Sequence, residues 1–225
     1  MKLLGVEASL KSLSVCIIED EDLLSEITLN TGETHSKNLL KIIDESLNKA
    51  GLSIKDIDGF AVTLGPGSFT GLRIGLSAVK GLASVTKKPV AGISSLDALA
   101  YQAGFPNMIC ALLDARKNEV YCSIYRRIDN KKIRISDESV SAPEQAISEI
   151  NEPCMFIGSG ALLYKDLIIQ KVGGLSLFPP LPDNIIRASS VAYLGLEMFL
   201  KNQASPAESI VPHYIRKPDI KPKSL

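Results

Sequence analysis

Four glycines between residues 65 and 76 give this sequence its clearest potential for chemistry. They follow an apolar run at 57–64 and open a long helical pattern, an arrangement in which free amides and the helix dipole can bind a phosphate. Their spacing matches neither the G-x-G-x-x-G of dinucleotide-binding folds nor the G-x-x-x-x-G-K-[ST] of P-loop proteins. The pattern therefore favours another reason for these glycines, namely close packing of the backbone against a neighbour.

Other residues with catalytic potential do not form a recognisable set. Ser68 lies outside any G-x-S-x-G motif, and His35 and His213 lie in no catalytic motif. These are the only two histidines of the sequence, too few for a histidine-based metal site without carboxylates. Asp114 and Arg116 could be a functional pair or a salt bridge within a hairpin turn. The sequence leaves that choice open.

The helix expected at 69–85 is apolar or small around well over half of its circumference. A helix that covers a single sheet needs an apolar stripe only about 100° wide, so this one is expected to bury two faces. The second face would pack either in a crowded core or against a helix of another chain. The first stripe contains Leu72, Leu76, Val79 and Ala83, and the small-residue side contains Gly71, Ile74, Gly75, Ala78, Gly81, Leu82 and Val85.

Composition excludes several classes of protein. The chain has 225 residues, with 25 Lys and Arg against 25 Asp and Glu, which argues against a protein whose main role is to bind nucleic acid phosphates. A local basic cluster at Arg216, Lys217, Lys221 and Lys223 is either a frayed terminus or a local patch for nucleic acid phosphates. The four cysteines form no C-x-x-C pair and are expected to be buried free thiols. With no signal peptide or apolar run of membrane length, the sequence predicts a cytoplasmic protein.

The order of predicted elements indicates an α/β fold with an internal repeat. Strands are expected at 3–8, 13–18, 23–29 and 57–64, with helices at 36–50 and 69–85. A shorter version of the same β-β-β-α-β order begins at 108 and includes a helix predicted at 143–150 and a strand at 154–158. We therefore predict two domains, 1–104 and 105–225, each a mixed sheet with flanking helices, the second one reduced.

Several segments, in order along the chain, resemble the TsaB (YeaZ) family; they are residues 6–9, 35–40, 65–75, 89–99 and 212–216. The resemblance implies the fold of actin, Hsp70 and sugar kinases, with two ribonuclease-H-like halves. It also implies a non-catalytic role in threonylcarbamoyladenosine (t6A) modification of tRNA, beside its paralogue TsaD and the ATPase TsaE. ATP would then be used by the partner subunits, and tRNA would be reached only indirectly.

Two departures from the TsaD pattern agree with a non-catalytic role. Ser95 and Leu99 stand where TsaD-like chains carry the H-x-x-x-H metal motif, and leucine cannot bind a metal. Residues 114–117 read Asp-Ala-Arg-Lys where those chains have Ser-Gly-Gly-His, so side chains replace the glycines that let a nucleotide approach the backbone. We therefore expect no metal site and no cofactor in the chain alone.

Three residues remain as candidates for a remnant of a nucleotide site. Gly158 and Gly160 lie where the resemblance places an adenosine-side glycine motif, although a plain strand-to-helix turn explains them as well. Glu7 occupies the place of an acidic residue common to the first turn of the superfamily.

The resemblance also implies which surface meets the partner. We expect the helices at 36–50 and 69–85 to present apolar faces to the matching helices of a TsaD-type transferase, and the isolated chain to form a homodimer through the same surface. The alternatives are an ATP-dependent phosphotransferase or ATPase of the same fold, or a tRNA-binding module that uses the basic tail. The predicted interface residues are Leu39, Leu40, Ile43, Leu47, Gly71, Leu72, Gly75, Leu76 and Val79.

Overall fold

The first of two mixed β-sheets is built from the beginning of the chain. The structure, a computed structural model, describes residues 1–30, 34–104, 106–129 and 131–216. The strand order of this sheet is β3-β2-β1-β4-β5, with β1, β2 and β3 antiparallel and β1, β4 and β5 parallel. Its strands are β1 (Lys2–Glu7), β2 (Leu13–Glu19), β3 (Asp22–Leu29), β4 (Gly59–Gly65) and β5 (Val90–Ser94).

The second sheet repeats this arrangement. Its order is β8-β7-β6-β10-β11, again three antiparallel strands followed by two parallel ones, and β9 pairs with the far end of β7. The matching strand order confirms the predicted pair of ribonuclease-H-like halves. The strands are β6 (Met108–Asp114), β7 (Val120–Ile128), β8 (Lys131–Arg134), β9 (Ser139–Ser141), β10 (Cys154–Ile157) and β11 (Ser176–Leu177).

Helices cover both sheets and fill the space between them. The outer face of the first sheet is covered by α1 and α2, whereas α3 and α7 lie between the two sheets and α4 to α6 cover the second sheet. Among the described residues, each helix is too short or too polar to cross a bilayer. The helices are α1 (His35–Lys49), α2 (Phe69–Thr86), α3 (Ser95–Tyr101), α4 (Pro143–Ala146), α5 (Ser159–Leu163), α6 (Lys165–Val172) and α7 (Ala188–Leu200).

The last elements of the chain return to the first half. Helix α7 packs on β1, β2 and β4, and the backbone of Ser205 pairs with that of Val90 on the edge strand β5. The predicted boundary near 104 separates the strands of the two sheets. Helix α7 and Ser205, which the prediction assigned to a second domain, nevertheless pack on the first sheet.

The helix predicted at 143–150 is wrong in its length, because α4 ends at Ala146. The Ser148 hydroxyl donates to the carbonyl oxygen of Gln145 at 2.9 Å, a local bond that competes with continued helix. Ile147 and Ile150 are nonetheless buried. Their three-residue spacing imitates a helical stripe although the chain has already turned.

All four cysteines are buried and free, as the sequence predicts. Cys110 and Cys122 lie on the paired strands β6 and β7 with their sulfur atoms 3.7 Å apart. Burial raises the pKa of Cys16 and Cys154, so these thiols behave as small apolar side chains in the core.

Candidate functional site

The glycine-rich loop after β4 packs against the turn between β1 and β2. A Cβ at Gly67 would lie 2.3 Å from the carbonyl oxygen of Ser9, and one at Gly71 would lie 2.2 Å from that of Ala8. The amide of Ser68 donates to the Ser9 carbonyl at 2.6 Å, and the amide of Gly71 donates to the Ser68 hydroxyl at 3.2 Å. The glycines thus bring two backbone segments together, and these amides at the start of α2 are engaged within the chain.

Glu7 stabilises the same turn from inside the protein. It is fully buried at the end of β1, and its Oε1 accepts from the amide and hydroxyl of Ser9 at 2.8 and 2.5 Å. The Ser95 hydroxyl donates to the Ser9 hydroxyl at 2.9 Å. Burial raises the pKa of Glu7, and the hydrogen bonds from Ser9 oppose that shift. Among the described residues, Oε2 of Glu7 and the Thr63 hydroxyl make no hydrogen bond of normal geometry, although Thr63 lies close enough to lower the pKa of Glu7.

Gly158 and Gly160 pack against the chain itself. A Cβ at Gly158 would lie 2.4 Å from the carbonyl oxygen of Leu112, and one at Gly160 would lie 3.0 Å from the carbonyl carbon of the same residue. The φ angle of Gly158 is +108°, a conformation that favours glycine, and its amide donates to Asn184 Oδ1 at 2.8 Å. Packing accounts for both glycines, and a nucleotide-binding role for them stays a prediction.

Asp114 and Arg116 form an ion pair inside the turn between β6 and β7. The Arg116 amide donates to Asp114 Oδ1 at 2.8 Å, and its guanidinium lies 3.3 Å from Oδ2. Residues 116–118 all have φ between 55° and 60°, an uncommon conformation outside glycine. The Asp114 amide donates to the Ser159 hydroxyl at 3.1 Å. The geometry is that of the turn salt bridge that the sequence left open as an alternative.

Residues 207–216, here called the 207–216 strap, run along one side of α2. The Lys80 ammonium donates to the carbonyl oxygen of Ile210 at 3.0 Å. Further along, the Tyr214 ring packs on Phe69 with centroids 4.8 Å apart, and the Arg73 guanidinium lies 3.7 Å from the centroid of the Phe69 ring. The strap therefore covers the first turn and one flank of α2.

The far end of the 207–216 strap joins the two halves. His213 Nε2 lies 3.2 Å from Oε2 of Glu138, which is contributed by the second half. The Arg216 guanidinium donates to the carbonyl oxygen of Ala115 at 2.6 Å and to the carboxylate of Glu119. Beyond the resemblance at 212–216, the sequence indicated His213 only as an isolated histidine and Arg216 only as part of a basic tail, because contacts between residues about a hundred positions apart leave no local pattern. The remaining basic residues of the predicted tail, Lys217, Lys221 and Lys223, lie outside the described residues.

The positions where the resemblance places metal-binding histidines are buried. Ser95 donates its hydroxyl hydrogen bond to Ser9, and Leu99 belongs to the core between the sheets. In the part of the chain that the structure describes, no group of three or more His, Cys, Asp or Glu side chains could hold a metal ion.

The structure corrects the placement of the predicted interface residues. Leu40 is 61% exposed, but the other eight are buried within the chain. A Cβ at Gly75 would lie 2.9 Å from the Cβ of Ala8, so this glycine faces β1 and not the surface. The stripe predicted to meet a partner is thus the stripe that meets the chain's own sheet.

Part of the second predicted face of α2 remains at the surface, although its Gly71 and Gly75 are buried. Ile74, Ala78 and Leu82 are half-buried, and Val85 is 85% exposed. A Cβ at Gly81 would contact nothing within 4 Å. These five residues, here called the α2 ridge, form an apolar strip whose Ile74, Ala78 and Leu82 pack in part against the core, whereas Gly81 and Val85 are open to solvent.

Comparisons with known proteins agree with this fold over nearly the whole chain. The family model of TsaD, tRNA N6-adenosine threonylcarbamoyltransferase, matches residues 22–223. The tRNA threonylcarbamoyladenosine biosynthesis protein TsaB of Haemophilus influenzae is 32% identical over 96% of this chain and 94% of its own length. TsaB of Bacillus subtilis is 26% identical over the same shares. The solved structure of YeaZ from Pseudomonas aeruginosa superposes with a TM-score of 0.83 at 26% identity, covering 95% of this chain and 99% of YeaZ.

The two ribonuclease-H-like halves are those of the actin, Hsp70 and sugar-kinase fold. The family model and the full-length relatives together identify the branch: the chain belongs to the TsaB (YeaZ) group of the TsaD-like family.

Proposed function

We propose that this chain is a non-catalytic, activating subunit of a t6A synthesis complex and that it binds a TsaD-type transferase. Relatives of the same length are named as tRNA threonylcarbamoyladenosine biosynthesis proteins. The proposal includes a TsaE-type ATPase as a further partner, ATP use by the partner subunits, indirect contact with tRNA and a cytoplasmic location. The chain itself carries no cofactor in this proposal.

The observation that carries the proposal is the partly exposed α2 ridge beside α1. A helix that packs only on its own sheet has no need of a second apolar face. Leu40, the exposed leucine of α1, is 61% accessible, and Val85 at the end of the ridge is 85% accessible. Since α1 and α2 pack side by side, a matching pair of helices from a partner would complete a four-helix bundle.

The same surface explains the homodimer that we expect of the isolated chain. Exposed apolar strips of this kind favour association, so two copies would bury the α2 ridge against each other when the transferase is absent. Binding of the transferase would then compete with the homodimer, because both use one surface.

Two substitutions at the surface, Leu40→Asp and Val85→Asp, test this interface. Each places a carboxylate in an apolar contact without disturbing the chain's own core, and each should weaken binding to the TsaD-type protein of the same organism by about tenfold or more. Leu163→Asp is the matched control, because Leu163 is 58% exposed on α5 of the second half. Calorimetry and co-purification measure the binding. Gly75 and Leu76 are unsuitable positions, since both are buried.

The outcomes separate the competing functions. Unchanged binding by both variants would show that the interface lies elsewhere, and failure of the unmodified chain to bind the transferase would overturn the scaffold proposal. Tight ATP binding by the chain alone would instead favour a phosphotransferase or ATPase of the same fold.

A further inference from the structure

A cavity of about 400 Å³ opens where α3, the β7–β8 hairpin and α7 meet. Its wall combines apolar and aromatic surface from Tyr101 and Leu194 with the charged side chains of Asp97, Lys132 and Arg134. Volume and lining are those of small-molecule sites, which join apolar walls to a few polar groups. None of these residues belongs to the glycine loop, the 207–216 strap or the α2 ridge.

Two of the three charged groups in the cavity neutralise each other. Arg134 donates to both carboxylate oxygens of Asp97, at 2.6 and 3.1 Å, and also pairs with Glu138 at 2.8 Å. The Tyr125 hydroxyl donates to Asp97 Oδ1 at 2.8 Å. Asp97 and Arg134 are therefore engaged with protein groups, and because Glu138 shares the same guanidinium this cluster holds one carboxylate charge in excess.

The third charged group, Lys132, has no carboxylate partner among the ion pairs of the described residues. Its ammonium donates to the carbonyl oxygen of Tyr101 at the end of α3 and lies 5.7 Å from the centroid of the Tyr101 ring. Lys132 is half-buried, and loss of water contact lowers its pKa to about 8. The titratable groups that face it are Asp97, Tyr101, Tyr125 and Arg134.

We propose that this cavity binds a small organic anion with a flat apolar body, whose carboxylate or phosphate pairs with Lys132 while the body lies against Tyr101 and Leu194. The anion would supply the opposite charge that Lys132 lacks, at a position where partial dehydration strengthens the pairing. Glu197, the nearby carboxylate on α7, is already paired with Lys201 at 3.2 Å.

Binding to the full chain alone tests the proposal, so its result is independent of the proposed complex. The probes are 2-naphthoate and 2-naphthyl phosphate, with 2-naphthamide as the neutral isostere and inorganic phosphate as the anion without an apolar body. We expect the better of the two aromatic anions to bind about tenfold or more tightly than either control probe, as measured by calorimetry. Comparison of the two aromatic anions distinguishes a carboxylate site from a phosphate site.

Variants assign the binding to the cavity. Lys132→Met should weaken binding of the aromatic anion by about tenfold or more and leave 2-naphthamide unchanged, whereas Lys132→Arg should keep most of the affinity. Lys131→Met, at the exposed neighbouring lysine of β8, is the matched control and should bind like the unmodified chain.

The pH dependence provides a further check. For 2-naphthoate, whose carboxylate stays ionised, affinity should be constant between about pH 6 and 7 and fall as the pH rises through the pKa of Lys132, about 8, because the anion favours the charged amine. Absence of binding by both aromatic anions, equal binding of 2-naphthamide, or unchanged affinity in Lys132→Met would overturn the proposal.

Discussion

The glycine loop and the Lys132 cavity differ both in how clearly the sequence shows them and in how accessible they are in the structure. The loop has a conspicuous sequence, yet its glycines at 67 and 71 pack closely against the β1–β2 turn. The 207–216 strap covers the start of the helix that follows. The cavity has no sequence motif, yet it is open and keeps an ammonium without a carboxylate partner. A glycine-rich segment therefore marks close backbone packing here, whereas the space for a ligand is made by residues from four separate elements.

Each region also contains a titratable group whose pKa is shifted by loss of water. Burial raises the pKa of Glu7 in the closed region and lowers that of Lys132 in the open one. The cause is the same but the accessibility differs, since Glu7 is fully buried and Lys132 is not. Only the lysine can be approached by a ligand in this structure.

The largest effect expected from this comparison comes from two glycines of one helix. Gly71→Ala should cost about 3 kcal/mol of unfolding free energy, because the new Cβ would meet the Ala8 carbonyl oxygen at 2.2 Å. Gly81→Ala is the control in the same helix; with nothing within 4 Å of its Cβ, it should add about 0.5–1 kcal/mol through better helix propensity. Urea unfolding measures both. Equal effects of the two substitutions would contradict the packing role of the loop.

A smaller effect is expected at the end of the 207–216 strap. Arg216→Met and Glu119→Gln should each destabilise the chain modestly, with a coupling of about 0.5–1 kcal/mol in the double-mutant cycle, because the two side chains are paired and partly exposed. Thermal and urea unfolding of the four proteins provide the cycle. If the effects of the two substitutions on the unfolding free energy simply add, the strap does not hold the two halves together through this pair.

The smallest expected effect is a change in how the unfolding free energy depends on pH. The pKa of Glu7 is higher in the folded state than in the unfolded state. Its contribution to the free energy of unfolding is therefore complete below the unfolded-state pKa and is lost as the pH rises through the folded-state pKa. Glu7→Gln should remove that part of the pH dependence and cost little stability at pH 7, since its amide can donate to the adjacent Thr63 hydroxyl. If the unfolding free energy of the variant, plotted against pH between pH 4 and 7, remained parallel to that of the unmodified chain, this account would be contradicted.

Much of the fold could be predicted because the signals are local. Alternating and continuous apolar runs located the first three strands within about two residues of their ends, and the repeated element order predicted two similar halves. The exception, the helix at 143–150, shows the limit of periodicity. Ile147 and Ile150 keep helical spacing while Ser148 bonds to Gln145 and the chain turns.

The surfaces of α1 and α2 were harder to predict than the helices themselves. The sequence indicated two apolar faces on α2 but not which one the first sheet would cover. The steric reason lies outside the helix: Gly71 and Gly75 must face Ala8 for β1 and α2 to approach, which fixes the rotation of the helix and sends Leu72, Leu76 and Val79 inward. The strap and the Lys132 cavity depend on contacts between distant residues, for which no local signal exists.

The 207–216 strap has a consequence for the order in which the protein is made. Its contacts with Lys80, Arg73 and Glu119 join residues 97 to 141 positions apart. Since the ribosome adds about 5–20 residues per second, α2 exists for roughly 6–26 seconds before its flank is covered. Contacts of such long range also slow folding, because a long loop must close before they form. A nascent chain stalled before residue 207 should therefore expose the flank of α2 that the strap covers in the finished protein.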